Sequence, residues 1–244
     1  MPAFGNNTRM NPRIQRTAAT ALLALLFACT LGSAFAAGTA QRSSYWRERT
    51  SLFRVFGQKA EVVMIGDSLV DSAEWTEMFP GQDIVNRGID GDTTHGVLAR
   101  LDTILKLEPK RAFIMVGIND FADRHRSVAA VFARYRTIVA RLGRAGAHVF
   151  VQSSLPCNEA KARVKSCASL NANIKQLNTK LAALASENED VTFIDLWPVM
   201  AGRGGLKREV SYDGIHLNGE GYRRWKEAIA PYMPPVTQQA GAAR

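Results

Sequence analysis

Cysteine is scarce in this chain: three residues in 244, at positions 29, 157 and 167. No further Cys or His lies near the 157/167 pair to complete a four-ligand zinc set, so a structural metal is set aside. The apolar run from Ala18 to Phe27 is too short, and too soon interrupted by Thr30, Gly32 and Ser33, for a comfortable membrane span. There is no dinucleotide fingerprint and no Walker loop, so nucleotide cofactors have no anchor. No internal repeat occurs. Basic residues outnumber acidic ones, giving a formal charge of +9. They are scattered through the chain rather than gathered in a run, which gives nucleic-acid binding little support.

What remains is an ordinary globular composition, 46% hydrophobic and 22% charged, at a length that suits one α/β domain. Arg9, Arg13 and Arg16 precede the Ala18–Phe27 run, and Ser33-Ala34-Phe35-Ala36-Ala37 follows it. A basic region, a short apolar region and an A-x-A site predict a secretory signal peptide over residues 1–36. Its removal leaves 28 basic against 22 acidic residues, a net +6. Export to the periplasm or medium is therefore expected. A lipoprotein anchored through Cys29 is the weaker alternative, because Phe27 fits a lipoprotein box awkwardly. In an oxidising compartment Cys157 and Cys167 are expected to pair, closing a short loop that stabilises by roughly 2–3 kcal/mol.

The residues after the signal divide into a lead-in helix within 37–60, a domain over 61–232 and a polar tail over 233–244. Within the domain, apolar runs alternate with helical stripes. Strands are expected at Glu61–Ile65, Asp83–Asn86, Ala112–Val116, His148–Gln152 and Val191–Asp195. One helix is expected from Leu69 to Phe79, another from Thr93 or Thr94 to Leu105, and longer ones around Val128–Leu142, Leu170–Leu184 and Gly219–Tyr232. Alternation of this kind means α/β: about five parallel strands with helices on both faces.

The first strand ends in Gly66-Asp67-Ser68-Leu69. A serine at the carboxyl end of a parallel strand sits where ligands bind in such sheets. The plain alternative is that Asp67 and Ser68 cap the next helix. The second and third strands end in Gly88-Ile89-Asp90-Gly91-Asp92 and Gly117-Ile118-Asn119-Asp120, polar residues that the fold does not need. Near the C-terminus stands Asp213-x-x-His216. One turn of spacing lets the carboxylate reach one imidazole nitrogen and leaves the other for Ser68, the logic of nucleophile, base and orienting acid. His95, His125 and His148 have no acid so placed. The nucleophile elbow of α/β-hydrolases is absent, since Val70 stands where G-x-S-x-G needs glycine.

These four blocks, in this order, resemble the SGNH or GDSL hydrolases, and the resemblance covers about residues 60–232. It implies a three-layer, flavodoxin-like fold. The stretch Asn86-Arg87-Gly88-Ile89-Asp90-Gly91-Asp92-Thr93-Thr94 is similar to the acetylhydrolase and esterase branch. Carried over by position, the resemblance implies Ser68 as nucleophile, His216 as base and Asp213 as its orienting acid. It implies an oxyanion hole from the backbone N–H groups of Ser68 and Gly91 and the side chain of Asn119. Gly88 competes with Gly91, and the Gly-Asp-Thr context favours Gly91. Asp90 departs from the small residue usual at its position. If it points inward it disfavours anionic substrates.

The activity so implied is hydrolysis of a carboxylic ester, acetyl or short-chain, with no cofactor and no metal. A lysophospholipase or thioesterase acting on longer chains uses the same chemistry, and a glycan O-acetyl esterase or transferase is a third possibility. Trp75, Phe121, Trp197 and Tyr212 are candidate sugar contacts, though such aromatics are more often core. The expected partner is a small acyl ester, a lipid or an acetylated glycan; oligomeric state is not legible.

Overall fold

A buried parallel strand needs apolar residues on both faces, and Val62-Val63-Met64-Ile65 supplies them. In the computed structural model, which describes residues 43–122, 126–162 and 167–236, these four are fully buried. The predicted signal segment 1–36 with Cys29, and the tail beyond residue 236, lie outside the described residues.

The elements run as follows. Helix α1 (Ser44–Phe56) leads into β1 (Val62–Gly66), α2 (Ser68–Asp71) and α3 (Trp75–Met78). Then come β2 (Ile84–Gly88), α4 (Thr94–Ala99), α5 (Asp102–Leu105) and β3 (Arg111–Met115). Next are α6 (Ile118–Ala122), α7 (Val128–Arg144), β4 (His148–Gln152), α8 (Cys167–Ser186) and β5 (Val191–Ile194). The chain closes with α9 (Trp197–Met200), a small hairpin of β6 (Ala201–Gly202) and β7 (Gly205–Leu206), and α10 (Gly219–Ile229).

Strands β1 to β5 form one sheet in the order β2-β1-β3-β4-β5, every pair parallel. This is the flavodoxin-like order, and it reverses between β1 and β3. One core layer packs α4, α7 and α8 on one face of the sheet, through residues such as Ile65, Leu101, Tyr135, Ile138 and Leu177. The other packs α3 and α10 on the opposite face, with Trp75 edge-on to Trp225 at 5.2 Å between ring centroids. The α/β class, the parallel sheet and its five strands match the sequence reading.

Three expected elements differ, each for a side-chain reason. The helix expected over Leu69–Phe79 is two short helices. The Asn86 side chain gathers the carbonyls of Val70, Asp71 and Ala73 at 2.9, 3.0 and 3.3 Å, which ends α2. The second strand runs on to Gly88, beyond the expected Asn86. Gly88 permits this because a Cβ there would fall 2.2 Å from the Asp71 nitrogen. The helix expected from Thr93/Thr94 to Leu105 starts at a Thr93 cap but breaks at Arg100.

Arg100 breaks that helix because its side chain turns inward. Its Nε donates to Asp92 Oδ2 at 2.8 Å, and its Nη2 donates to the carbonyls of Gly66 (3.3 Å) and Arg87 (2.9 Å). Both side chains are buried, at 0% and 2% exposure. The expected disulfide is present, Cys157 to Cys167, with Cα atoms 5.7 Å apart. Trp75 and Phe121 belong to the core, which removes them as sugar contacts.

Removing one member of a buried ion pair leaves the other charge uncompensated, at about 3–5 kcal/mol. Asp92→Asn is therefore expected to lower unfolding free energy by that amount, and Asp92→Asn with Arg100→Met together by much less. Urea unfolding of both variants checks this. A single variant within about 1 kcal/mol of wild type would contradict it.

Candidate active site

Ser68 follows β1 by two residues, and Asn119 follows β3 by four, so they flank the point where strand order reverses. Asp67 caps α2, its Oδ1 accepting from Leu69 N–H at 3.2 Å. Ser68 is thereby fixed as the first residue of α2. Tyr222 of α10 donates to the Leu69 carbonyl at 2.9 Å, and Trp75 Nε1 donates to the Val70 carbonyl at 3.0 Å. The serine turn is held from both ends.

His216 lies in the segment between β7 and α10. There the Asp213 carboxylate makes a local turn, with Oδ1 accepting from the N–H groups of Ile215 (2.9 Å) and His216 (2.7 Å). Its other oxygen, Oδ2, stands 2.7 Å from His216 Nδ1. An ionised carboxylate can only accept, so the shared proton sits on Nδ1 and Nε2 is left as an acceptor. That nitrogen lies 3.1 Å from Ser68 Oγ. Partial burial would raise the Asp213 carboxyl, but these hydrogen bonds from His216 and Ile215 outweigh it and hold it below its ordinary value. The turn needs Gly214 at φ +92°, where a Cβ would also meet the Ala162 nitrogen at 2.7 Å. Asn158, one residue past Cys157, donates its N–H to the Gly214 carbonyl at 2.7 Å, so the disulfide loop backs this turn.

Asn119 Nδ2 donates to the Asp92 carbonyl at 2.9 Å. One of its two amide protons is thus used to orient it, and the other is left for a ligand. The same bond seats the Asn119 amide against the loop that carries Gly91. Gly91 is exposed, with φ +69°. Neither its N–H nor that of Ser68 is engaged in the hydrogen bonds of the described residues. The N–H of Gly88, by contrast, is taken by Asn86 Oδ1 at 2.8 Å, and this separates the two glycines that the sequence left in competition. The Asp90 side chain is exposed; its N–H donates to Asp71 Oδ2.

The structure therefore brings Ser68, His216 and Asp213 into one hydrogen-bonded row, with Asn119 seated beside the Gly91 loop. Among the described residues no group of His, Cys, Asp or Glu is placed to hold a metal ion. No helix there is long and apolar enough to cross a membrane.

The arrangement admits a comparison with known proteins. The family model of the GDSL-like lipase/acylhydrolases matches residues 64–224. The chain belongs to that family. Among curated relatives, platelet-activating factor acetylhydrolase IB subunit alpha1 of Rattus norvegicus is 29% identical over 172 residues, covering 68% of this chain and 71% of its own. Subunit alpha2 of Homo sapiens is 28% identical over 175 residues, covering 68% and 73%. Two solved structures share the fold at lower identity. A GDSL-like lipase from Bacteroides thetaiotaomicron has a TM-score of 0.68 at 22% identity, over 77% of this chain and 96% of that one. A carbohydrate esterase family 3 protein from Talaromyces cellulolyticus has 0.58 at 18%, over 71% and 95%.

Sequence reasoning missed what lies under the site. Asp67, Asp92 and Asp120 are all buried. Asp92 has Arg100; Asp120 accepts from Thr94 N–H and Oγ1, both at 2.8 Å, with Arg134 at 3.7 Å. Asp67 has no ion-pair partner among the described residues. Burial pushes its carboxyl up to about 7, and the charges of Asp92 and Asp120 add to this against the Leu69 hydrogen bond. Nothing in a local motif signals such burial.

Asp67 is raised in the fold, so the native state holds its proton over a range where the unfolded chain has lost it. Its contribution to stability is full below about pH 4 and is lost as pH rises through 7. A carboxyl raised from 3.8 to about 7 links to about 4 kcal/mol at full effect. Asp67→Asn keeps the capping oxygen and removes the titration. Its melting temperature relative to wild type is expected to rise between pH 4 and pH 7.5. Parallel melting curves across that range would contradict the assignment.

Proposed function

We propose that this chain is a serine esterase that cleaves a small acyl ester, acetyl or short-chain, with Ser68 as nucleophile. The observation that carries the reading is the row Ser68 Oγ, His216 Nε2, His216 Nδ1, Asp213 Oδ2, with separations of 3.1 and 2.7 Å. Ser68 Oγ attacks the ester carbonyl while His216 Nε2 takes its proton. Asp213 stabilises the imidazolium so formed. The carbonyl oxygen becomes an oxyanion, and the donors for it are the N–H groups of Ser68 and Gly91 and the spare Nδ2 proton of Asn119. His216 then protonates the leaving alcohol. Water attacks the acyl-serine with His216 again as base, and the acid product leaves.

The acetyl preference rests on the acetylhydrolase relatives. A second reading, a glycan O-acetyl esterase, is favoured by Tyr212. Tyr212 is 63% exposed, and its ring lies near-parallel to the His216 ring, with centroids 6.0 Å apart. An exposed aromatic face beside the base is a surface on which a sugar ring can stack. Export through the 1–36 segment is part of the proposal, and a disulfide fits an oxidising compartment.

Hydrolysis of p-nitrophenyl esters from acetyl to palmitoyl, beside acetylated xylan, tests these readings together. Ser68→Ala is expected to abolish turnover. Asn119→Ala is expected to fold and lose about 10²–10³ in kcat, the cost of one oxyanion donor. Rates that peak at acetyl support the first reading, and activity confined to acetylated xylan supports the second. Turnover surviving in Ser68→Ala, or near-normal turnover in a folded Asn119→Ala, would overturn the assignment.

A further inference from the structure

Strand β2 is one edge of the sheet, and α1 meets it where the Phe53 ring lies against Arg87. Residues Arg49, Leu52, Phe53 and Phe56 recur at helical spacing and share one face of α1. Val85 and Arg87 share one face of β2, two residues apart. Between these two faces lies a cleft of about 400 Å³, large enough for a small ligand. Nothing in the ester chemistry uses it.

Its polar wall is unusual. The Arg87 side chain lies against the Phe53 ring, the guanidinium 4.4 Å from its centroid, with the Arg49 guanidinium at 5.0 Å from the same ring. Arg87 is 8% exposed. Its Nε and that of Arg49 are buried with no hydrogen-bond partner. Arg100, the third guanidinium on that ring, is neutralised by Asp92; neither Arg87 nor Arg49 has an ion pair among the described residues. Arg87 and Arg100 are close enough, with Arg49, that burial and mutual repulsion draw the Arg87 guanidinium down to about 10. A buried, unpaired charge is costly unless something pairs it. Of the other polar lining, Lys59 pairs with Glu108, and Asp83 accepts the Glu61 N–H. The apolar wall is equally unspent. Leu52 and Phe56 are 39% and 72% exposed, unusual for large hydrophobics set side by side.

We propose that this cleft binds an anionic amphiphile. A carboxylate or phosphate head sits on Arg87 and Arg49, and its apolar chain lies along Leu52, Phe53 and Phe56. A guanidinium presents paired donors that match either head group. The head can come from a free fatty acid or from a phospholipid in a bilayer.

Titration calorimetry with dodecanoate below its micelle concentration, and sedimentation with phosphatidylglycerol or phosphatidylcholine vesicles, separate the sources. Wild type is expected to bind dodecanoate, and Arg87→Gln to weaken it by at least about tenfold, the loss of one charge-assisted bond. Dodecanol and inorganic phosphate, each lacking half of the ligand, are expected to bind more weakly. Dodecanoate binding without capture on phosphatidylglycerol assigns the free acid. Capture on phosphatidylglycerol but not phosphatidylcholine, lost in Arg87→Gln, assigns the lipid. Arg49→Gln, on a half-exposed residue, is the second variant should Arg87→Gln melt early. The proposal falls if wild type binds neither probe, if both variants bind as wild type does, or if phosphate alone binds as tightly as dodecanoate.

Discussion

The ends of β1 and β2 and the loops that follow them are hung on the buried pair of Arg100 and Asp92. Five groups converge there. Arg100 holds the Gly66 carbonyl at the end of β1 and the Arg87 carbonyl near the end of β2. Asp92 takes Arg100 on one oxygen and the Trp46 indole and Thr93 N–H on the other. Its own carbonyl takes the amide of Asn119. The ends of β1 and β2, the Gly91 loop, helix α1 and Asn119 are thus fastened to one ion pair. The proposed oxyanion hole is assembled from separate loops, and such donors have to be held to fractions of an ångström. A rigid, charge-assisted hub supplies that where loops alone would not. The desolvation cost of two buried charges is offset by the hydrogen bonds around them, which reach every polar atom of the two side chains but Arg100 Nη1.

The same economy governs the aspartates. Three buried carboxylates lie close enough to influence one another electrostatically. Among the described residues two cations, Arg100 and Arg134, are in ion-pair reach of them, so the third carboxylate has no cation of its own. The carboxyl of Asp67 carries the difference by holding a proton. This leaves the region beneath Ser68 less negative than its sequence suggests, which suits the oxyanion of the proposed mechanism. Asp213 stands in the opposite situation. It is partly exposed, and its hydrogen bonds hold its carboxyl below the ordinary value, which suits the orienting role proposed for it.

Which of this was legible in the sequence follows from range. Periodicity is local, so the five strands and the long helices α7, α8 and α10 were readable, each to within a few residues at its ends. The residues of the hydrogen-bonded row were also readable, because each closes a strand or forms a one-turn pair, and because spacing alone brings Asp213 to His216. What failed was decided by side chains acting at a distance. Asn86 ends α2 from another strand. Arg100 breaks a helix whose apolar stripe runs on unbroken through Leu101, Ile104 and Leu105. The pairing of β6 with β7 hides in a glycine-rich stretch with no alternation to mark it. Sequence context favoured Gly91 over Gly88, and hydrogen bonding separates them by a different route: the Gly88 N–H is taken by Asn86 and that of Gly91 is not.

The position of α1 draws these strands of argument together. Helix α1 meets the edge strand β2 through Phe53, whose ring lies against Arg87. It does so while also binding the site: Trp46 donates to Asp92, and Tyr45 donates to Asp71, which in turn holds the N–H of Asp90 in the Gly91 loop. A helix needed only as a lid would bury its large apolar residues and leave its arginines in water. Here the arrangement is partly inverted: Phe56 of α1 stands in solvent, while Arg49 Nε of α1, like Arg87 Nε of β2, lies inside. Packing energy alone does not select that. A surface kept in a costly state beside a well-satisfied hub is what a binding function requires, because the ligand then supplies the charge and the apolar contact that the fold withholds.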